Sequence, residues 1–326
     1  MKILFTILTS LVLVGANVAQ GSNSLKDSSC PVHQDQYPAS VSLPDYTDGF
    51  MEVTNGTIYY RLFENEKERP LLILAPGLPS SIYYSQLIKQ LSSFGYNILS
   101  FDYAGKMNSK LKSKSNLNTM MVQISDLLLQ LDLKRFTIWH IVGTSMGGVI
   151  AAQLALEHST HVGKLVLLSP VGLKHPWTFT ERMAKIPILS KILAPFILKK
   201  QVKKNIEKAL ICPQNYTELI REQDQYLATW TSRWNYLNII SNFAMKDETA
   251  VYRKLEHQGL DILVTSGEKR LDKLHNHIEQ LKNILPSATY VEIPSTSHIP
   301  FIENLEFTTN LMLDFLEEED PLHEKY

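Results

Sequence analysis

Two side chains in this sequence have the type and setting for nucleophilic chemistry, Ser145 and His298. Ser145 stands in Gly143-Thr144-Ser145-Met146-Gly147-Gly148, a Gly-x-Ser-x-Gly pattern. Upstream, Arg135-Phe136-Thr137-Ile138-Trp139-His140 is an apolar, β-branched run that reads as a buried strand, and downstream Val149 to Leu156 reads as a helix. At such a strand-to-helix turn the backbone lifts the serine Oγ clear of its neighbours, and flanking glycines allow the strained geometry. A serine hydroxyl is a weak nucleophile at neutral pH and needs a base to take its proton. His298, in Ser297-His298-Ile299-Pro300-Phe301-Ile302-Glu303, follows the last expected strand. That places it in a loop on the same rim of the sheet as Ser145.

The elements that must position these two residues follow a repeating pattern. Asn55-Gly56 is a hairpin-turn dipeptide between Phe50-Met51-Glu52-Val53 and Thr57 to Phe63, an antiparallel start to the sheet. Strands are then expected at Leu71–Leu74, Asn97–Phe101, Lys164–Leu168, Asp261–Val264 and Thr289–Ile293, in addition to the one before Ser145. Helices are expected near Tyr83–Phe94, Thr119–Leu131, Lys273–Leu285 and Asn304–Glu318. Continuous apolar strands alternating with helices imply an α/β fold, a mostly parallel sheet with helices on both faces. Residues 172–254 show helical periodicity and no convincing strand, so they read as an inserted helical cap above the strand carboxyl ends, where open α/β sheets bind ligands. The expected organisation is 1–21 as a signal peptide, 22–47 as a mobile N-terminal arm, 48–171 and 255–326 as the core, and 172–254 as the cap.

Several of these segments resemble the α/β-hydrolase family. Asp102-Tyr103-Ala104-Gly105-Lys106-Met107-Asn108-Ser109 is similar to that family's Asp-x-x-Gly-x-Gly-x-Ser loop, with Met107 where a second glycine is common. The Gly143–Gly148 motif with Ser169-Pro170-Val171-Gly172-Leu173 is similar to capped serine esterases and monoacylglycerol-lipase-like members, and His298-x-Pro300-x-x-Glu303 matches the family's histidine loop. The resemblance covers about residues 50 to 318 and implies an acyl-enzyme mechanism with Ser145 as nucleophile and His298 as base. It also implies an oxyanion hole from the backbone N–H groups of Met146 and Leu78, the latter in Ala75-Pro76-Gly77-Leu78-Pro79-Ser80, with Pro76 where His is frequent.

The third member of the triad is less plainly marked. An acid is expected after the strand ending near Thr265, at the third residue past Gly267, but that residue is Arg270. Asp272 is the favoured carboxylate and Glu268 the next, with orientation of the base by water or a backbone carbonyl also open. Ser145 itself separates this chain from haloalkane dehalogenases and epoxide hydrolases, which carry Asp at the corresponding turn. The expected reaction is cleavage of carboxylic esters with apolar acyl groups. A carbon–carbon hydrolase or an amidase with the same machinery is the first alternative, and a non-catalytic binding protein on a decayed hydrolase fold the second.

The formal net charge of −1 removes any electrostatic case for nucleic acid as a partner. His275-Asn276-His277 puts two imidazoles on different sides of a helix and reads as solvent-facing, so neither a metal nor any other cofactor is expected. Met1-Lys2, the apolar run Ile3–Val14 and the small residues Gly15-Ala16 fit a cleaved secretory signal, which implies a periplasmic or secreted protein. Cys30 and Cys212 could then be bridged or both be free. The apolar run Ile186–Leu198, followed by Lys199, Lys200, Lys203 and Lys204, fits a cap helix packed on the core with its lysines solvated, or one that touches a membrane surface transiently. Lys106, Lys110, Lys112 and Lys114 read as a solvated basic loop on the rim, with steering of anionic substrates as the sharper reading.

Overall fold

The computed structural model of the protein describes residues 41–65, 69–78, 81–106, 109–112, 114–174, 187–244, 246–269 and 272–318, with only the backbone described for 187–197, 244 and 272–276. The expected leader 1–21, most of the arm 22–47, Cys30 and Arg270 lie outside the described residues.

The sheet opens as the sequence implies. Asn55 takes φ of 62°, a left-handed turn that Asn tolerates, and joins β1 (Thr47–Val53) to β2 (Gly56–Phe63) in an antiparallel hairpin with Val53 opposite Gly56. Six strands follow: β3 (Leu71–Ala75), β4 (Asn97–Asp102), β5 (Trp139–Thr144), β6 (Val162–Leu168), β7 (Asp261–Gly267) and β8 (Thr289–Ile293). Their spatial order is β1-β2-β4-β3-β5-β6-β7-β8, parallel from β4 onward. Among them lie α1 (Ser85–Ser93), α2 (Leu117–Gln130) and α3 (Gly147–Glu157).

Alternation along each strand sends side chains to two cores. In β3, Leu71, Ile73 and Ala75 join the core beneath α2 and α3, while Leu72 and Leu74 join the one beneath α1. All five are fully buried. Each large apolar side chain placed so contributes about 1.5–3 kcal/mol, and together they hold the strand ends at fixed heights.

The strand before Ser145 is displaced from its expected position. Asp132 adopts φ of 50°, Leu133–Arg135 forms a single 3-10 turn, and β5 begins only at Trp139. The strand runs through Gly143, paired with Ala75 and Leu167, so the glycine assigned to the turn belongs to the sheet.

Between β6 and β7 the described chain is helical: α4 (Pro187–Lys208), α5 (Thr217–Tyr226), α6 (Trp230–Ile239) and α7 (Thr249–Leu255). Leu198, Val202 and Ile206 form a buried stripe on α4 at a spacing of four residues, in the same core as α1. Lys200, Lys203 and Lys204 are exposed on the other side. Of the apolar run Ile186–Leu198 only the Leu198 side chain is described, and it packs as the packed-helix reading expects; the rest of the run's side chains lie outside the described residues. Helix α7 packs against α3, and its Tyr252 hydroxyl donates to Val171 O at 2.8 Å.

The chain closes with α8 (Asp272–Ile284), β8, the single turn α9 (Pro300–Glu303) and α10 (Leu305–Glu317). Lys164 of β6 is buried and donates to Phe315 O and Glu318 O, both at 2.7 Å. It thereby satisfies carbonyls at the end of α10 that no helical N–H can reach. Among the described residues, no helix is long and apolar enough to cross a membrane.

Candidate active site

Ser145 sits between the last residue of β5 and the first of α3, with φ of 53°. This left-handed conformation is costly for a side-chain-bearing residue and persists because both flanks are fixed. Ser145 N–H donates to Leu168 O at 2.9 Å, and its carbonyl accepts from Gly148 at 3.0 Å and Val171 at 3.2 Å. The two motif glycines are steric necessities. A Cβ on Gly143 would stand 2.5 Å from both Ala151 Cβ and Gly147 O, and one on Gly147 would stand 2.1 Å from Ala75 O and 2.6 Å from Pro76 O. Gly147 is what lets α3 approach the end of β3.

His298 arrives from the loop after β8. Its Nε2 lies 3.0 Å from Ser145 Oγ, across 153 positions of sequence, so the structure brings together the two residues that the motifs pick out. The ring is partly open toward the pocket, but Nδ1 is shielded from water. That enclosure lowers the His298 pKa to about 4, with nearby His277 adding to the effect. A neutral imidazole is the protonation state that a base acting on Ser145 requires.

No described residue is hydrogen-bonded to His298 Nδ1. Asp272 opens α8, and its side chain lies outside the described residues. Glu268 is exposed, and its Oε2 accepts from Ser295 N–H at 2.9 Å. His277 corrects the expectation of solvent-facing histidines: it is 5% exposed, buried among the core residues beneath α8 and close enough to His298 to influence its charge. Helical geometry could not tell which face α8 buries, and the side chain of His275 lies outside the described residues.

The histidine loop is anchored to the segment that follows α4. His298 N–H donates to Ala209 O at 3.1 Å. Glu303 accepts from Ile211 N–H and Ser297 N–H, each at 2.6 Å, through separate carboxylate oxygens. Burial raises its pKa to about 7 against those two hydrogen bonds. Cys212, next along this segment, is disulfide-bonded.

Opposite His298 runs the loop after β3. Tyr84 Oη lies 3.2 Å from Ala75 O and 2.6 Å from Thr144 Oγ1, Tyr103 donates to Pro76 O at 2.9 Å, and Lys106 Nζ donates to Gly77 O. Beyond the loop, Asp102 accepts from Ser81 N–H and Ser81 Oγ, each at 2.8 Å. Lys106 corrects the reading of a solvated basic loop, since it is 1% exposed whereas Lys110, Lys112 and Lys114 are exposed. Leu78 lies in this fastened loop, and Met146 N–H belongs to the first turn of α3, where no intrahelical acceptor exists and the helix dipole favours negative charge.

Ser145 and His298 open onto a small pocket walled by Gly77, Tyr83, Tyr84, Thr144, Ile299 and Phe301. Tyr84 and Phe301 stack with centroids 4.9 Å apart and planes 11° apart. Sequence reasoning did not single out these aromatic walls, although the span from Ile82 to Ser85, next to the loop after β3, was a signal for the tyrosines. No group of three or more described His, Cys, Asp or Glu side chains could hold a metal.

A mostly parallel sheet, a strained serine between strand and helix, and a histidine from the loop after the last strand together define the α/β-hydrolase fold, and the chain is an α/β-hydrolase by fold. Residues 70–189 match the family model for that fold. The chain is 22% identical to a proline iminopeptidase of Clostridioides difficile (strain 630), over 84% of this chain and 99% of that protein. Its fold superposes with a TM-score of 0.69 on the enol-lactonase of Burkholderia xenovorans LB400, at 19% identity, covering 83% of this chain and 100% of that one. A TM-score of 0.69 is also found against the 2-hydroxy-6-oxo-6-phenylhexa-2,4-dienoate hydrolase of Rhodococcus sp. strain RHA1, at 15% identity, covering 84% and 99%.

Proposed function

We propose that the protein is a serine hydrolase that cleaves carboxylic esters with apolar acyl groups through an acyl-enzyme. The observation that carries this reading is the 3.0 Å approach of His298 Nε2 to Ser145 Oγ at a strained strand-to-helix turn. As Ser145 Oγ bonds to the ester carbonyl carbon, its proton passes to His298 Nε2 and the carbonyl electrons move onto oxygen. Leu78 and Met146 N–H groups receive that oxyanion. Collapse breaks the ester C–O bond, and the leaving alkoxide takes the proton from His298. Water then gives a proton to His298 as its oxygen attacks the acyl carbon, and release of Ser145, reprotonated by His298, completes the cycle. Asp272 is the proposed carboxylate that orients His298, because it opens the helix that carries His277, a residue near enough to influence the charge of His298.

The apolar acyl preference rests on Tyr83, Tyr84, Ile299 and Phe301, which leave a substrate chain few polar partners. Turnover of p-nitrophenyl esters of increasing chain length, lost in Ser145→Ala, is the expected result; absence of ester turnover by folded protein overturns it. A second reading keeps the same residues but breaks an amide or a carbon–carbon bond. It is supported by the iminopeptidase and the dienoate hydrolase among the similar proteins, and the same assay with an amide and a dienone distinguishes it. A binding protein on an inactive fold predicts no labelling of Ser145 by a fluorophosphonate.

The cap supports transient contact with an anionic lipid surface, the remaining part of the proposal. Trp230 and Trp234 are exposed one turn apart on α6, which packs against α4 with its exposed Lys200, Lys203 and Lys204. Co-sedimentation with anionic but not neutral vesicles is expected, and equal behaviour with both counts against it. Export is proposed from the apolar leader, and amino-terminal sequencing that returns Met1 from the mature protein overturns it.

A further inference from the structure

Three successive carbonyls from the last residue of β3 onward are each held by a different side chain: Ala75 by Tyr84, Pro76 by Tyr103 and Gly77 by Lys106. The third differs in kind. A buried ammonium is costly to desolvate, and an apolar side chain of similar length would fill the same space without that cost. The residue is nonetheless enclosed, with Asp102 in its surroundings, its Nζ 5.0 Å from the Tyr103 ring centroid, and Tyr226 of the cap donating to Gly105 O at 3.1 Å. The carbonyl it contacts belongs to the same peptide group as Leu78 N–H, and Gly77 lines the pocket beside Ser145 and His298. The two ends of a peptide group point in opposite directions, so fixing Gly77 O fixes the direction of Leu78 N–H. A cation on the carbonyl oxygen also polarises the peptide and strengthens its N–H as a donor.

We propose that Lys106 is a positioning residue for the oxyanion hole: by holding Gly77 O it aims and polarises the Leu78 N–H that receives the negative oxygen of the attacked acyl group. This rests on the serine hydrolase reading. The group acts through Leu78 and touches no substrate, so its effect falls on the transition state and leaves ground-state binding nearly unchanged. Burial lowers the Lys106 pKa to about 7, opposed by the Asp102 carboxylate. The phenols of Tyr103 and Tyr226 stay neutral because burial raises their pKa values. Loss of the ammonium as pH rises through about 7 weakens the polarisation while the amine keeps an N–H to donate.

The test compares full-length wild type with Lys106→Met and Lys106→Arg, using p-nitrophenyl butyrate and a trifluoromethyl ketone that adds to the serine as a tetrahedral oxyanion. Lys106→Met is expected to lower kcat and ketone affinity together by about 10²-fold, the cost of losing an oxyanion donor, with KM changed by less than about threefold. Wild-type kcat should fall by about three- to tenfold between pH 6 and 9, and Lys106→Arg, always charged, should lack that fall. Folded Lys106→Met with kcat and ketone affinity within about threefold of wild type overturns the inference. Should Lys106→Met fail to fold, an alkaline fall in Lys106→Arg matching that of wild type overturns it equally. Wild type that neither turns over ester nor binds the ketone removes the hydrolase reading, and this inference with it, whereas active wild type with insensitive variants removes the inference alone.

Discussion

Gly147→Ala is the substitution that most directly probes how the fold builds the site. Its new Cβ would stand 2.1 Å from Ala75 O and 2.6 Å from Pro76 O. Ordinary contact begins near 3.4 Å, so the backbone after β3 or the first turn of α3 must retreat by roughly 1.3 Å. The displaced atoms carry Leu78 on one side and Met146 on the other, so one or both of the proposed oxyanion donors move by a comparable distance. A misplacement of about 1 Å costs on the order of 10²-fold in rate, and loss of a single donor about 10²–10³-fold. Stability should change much less, because overpacking of about 1–3 kcal/mol is partly offset by the gain of about 1 kcal/mol when Ala replaces Gly in a helix. Gly148→Ala is the comparison: its Cβ would meet Pro170 Cβ at 2.9 Å, away from the loop after β3. The expected result, from kcat on p-nitrophenyl esters and from urea unfolding, is a loss of at least about 10²-fold for Gly147→Ala and a far smaller one for Gly148→Ala. A folded Gly147→Ala enzyme within about threefold of wild type would refute the claim that this close approach sets the oxyanion hole.

Three further outcomes follow from the same geometry. With Asp272 orienting His298, Asp272→Asn should lower kcat by about 10³–10⁴-fold. The wild-type acidic limb in kcat/KM should lie near pH 4, where burial and His277 hold the ring, and a folded Asp272→Asn enzyme within about tenfold of wild type excludes Asp272. Tyr84→Phe removes the hydroxyl shared by Ala75 O and Thr144 Oγ1, which should cost about 1–2 kcal/mol in urea unfolding and slow the enzyme several-fold by loosening the loop. Lys164→Met strips Phe315 O and Glu318 O of their donor at the end of α10. It should destabilise by about 2 kcal/mol without altering kcat, and a change in kcat at unchanged stability would show that the two ends of the sheet are coupled.

What could be read from the sequence is what depends on near neighbours. The strands and helices around Ser145 follow from period and β-branching, and Asn55-Gly56 marks its hairpin through the chain's own preferences. Ser145 and His298 were recognisable because each lies beside an element of recognisable type, and chain order places both on one rim. Reading went astray where a local pattern had two solutions. Phe136 to Ile138 is as β-branched and apolar as a strand, yet β5 must extend through Gly143 to pair with Ala75 and Leu167, which shifts it four residues. His277 lies on a helix whose period is legible in the sequence, but only the packing of α8 decides that it turns inward.

Lys106 marks the boundary most clearly. Its sequence neighbours Lys110, Lys112 and Lys114 suggest a solvated loop, and three of the four are exposed. Whether the fourth is buried depends on Gly77, 29 positions away, and on Tyr226, 121 positions from the Gly105 carbonyl it meets. The sequence determined which groups are present: a serine at a strand-to-helix turn, a histidine in the loop after the last strand and the backbone N–H groups that such a turn supplies. Tertiary structure decided their distances and charge states, because desolvation and hydrogen-bond direction are set by segments that meet only when both faces of the sheet are covered.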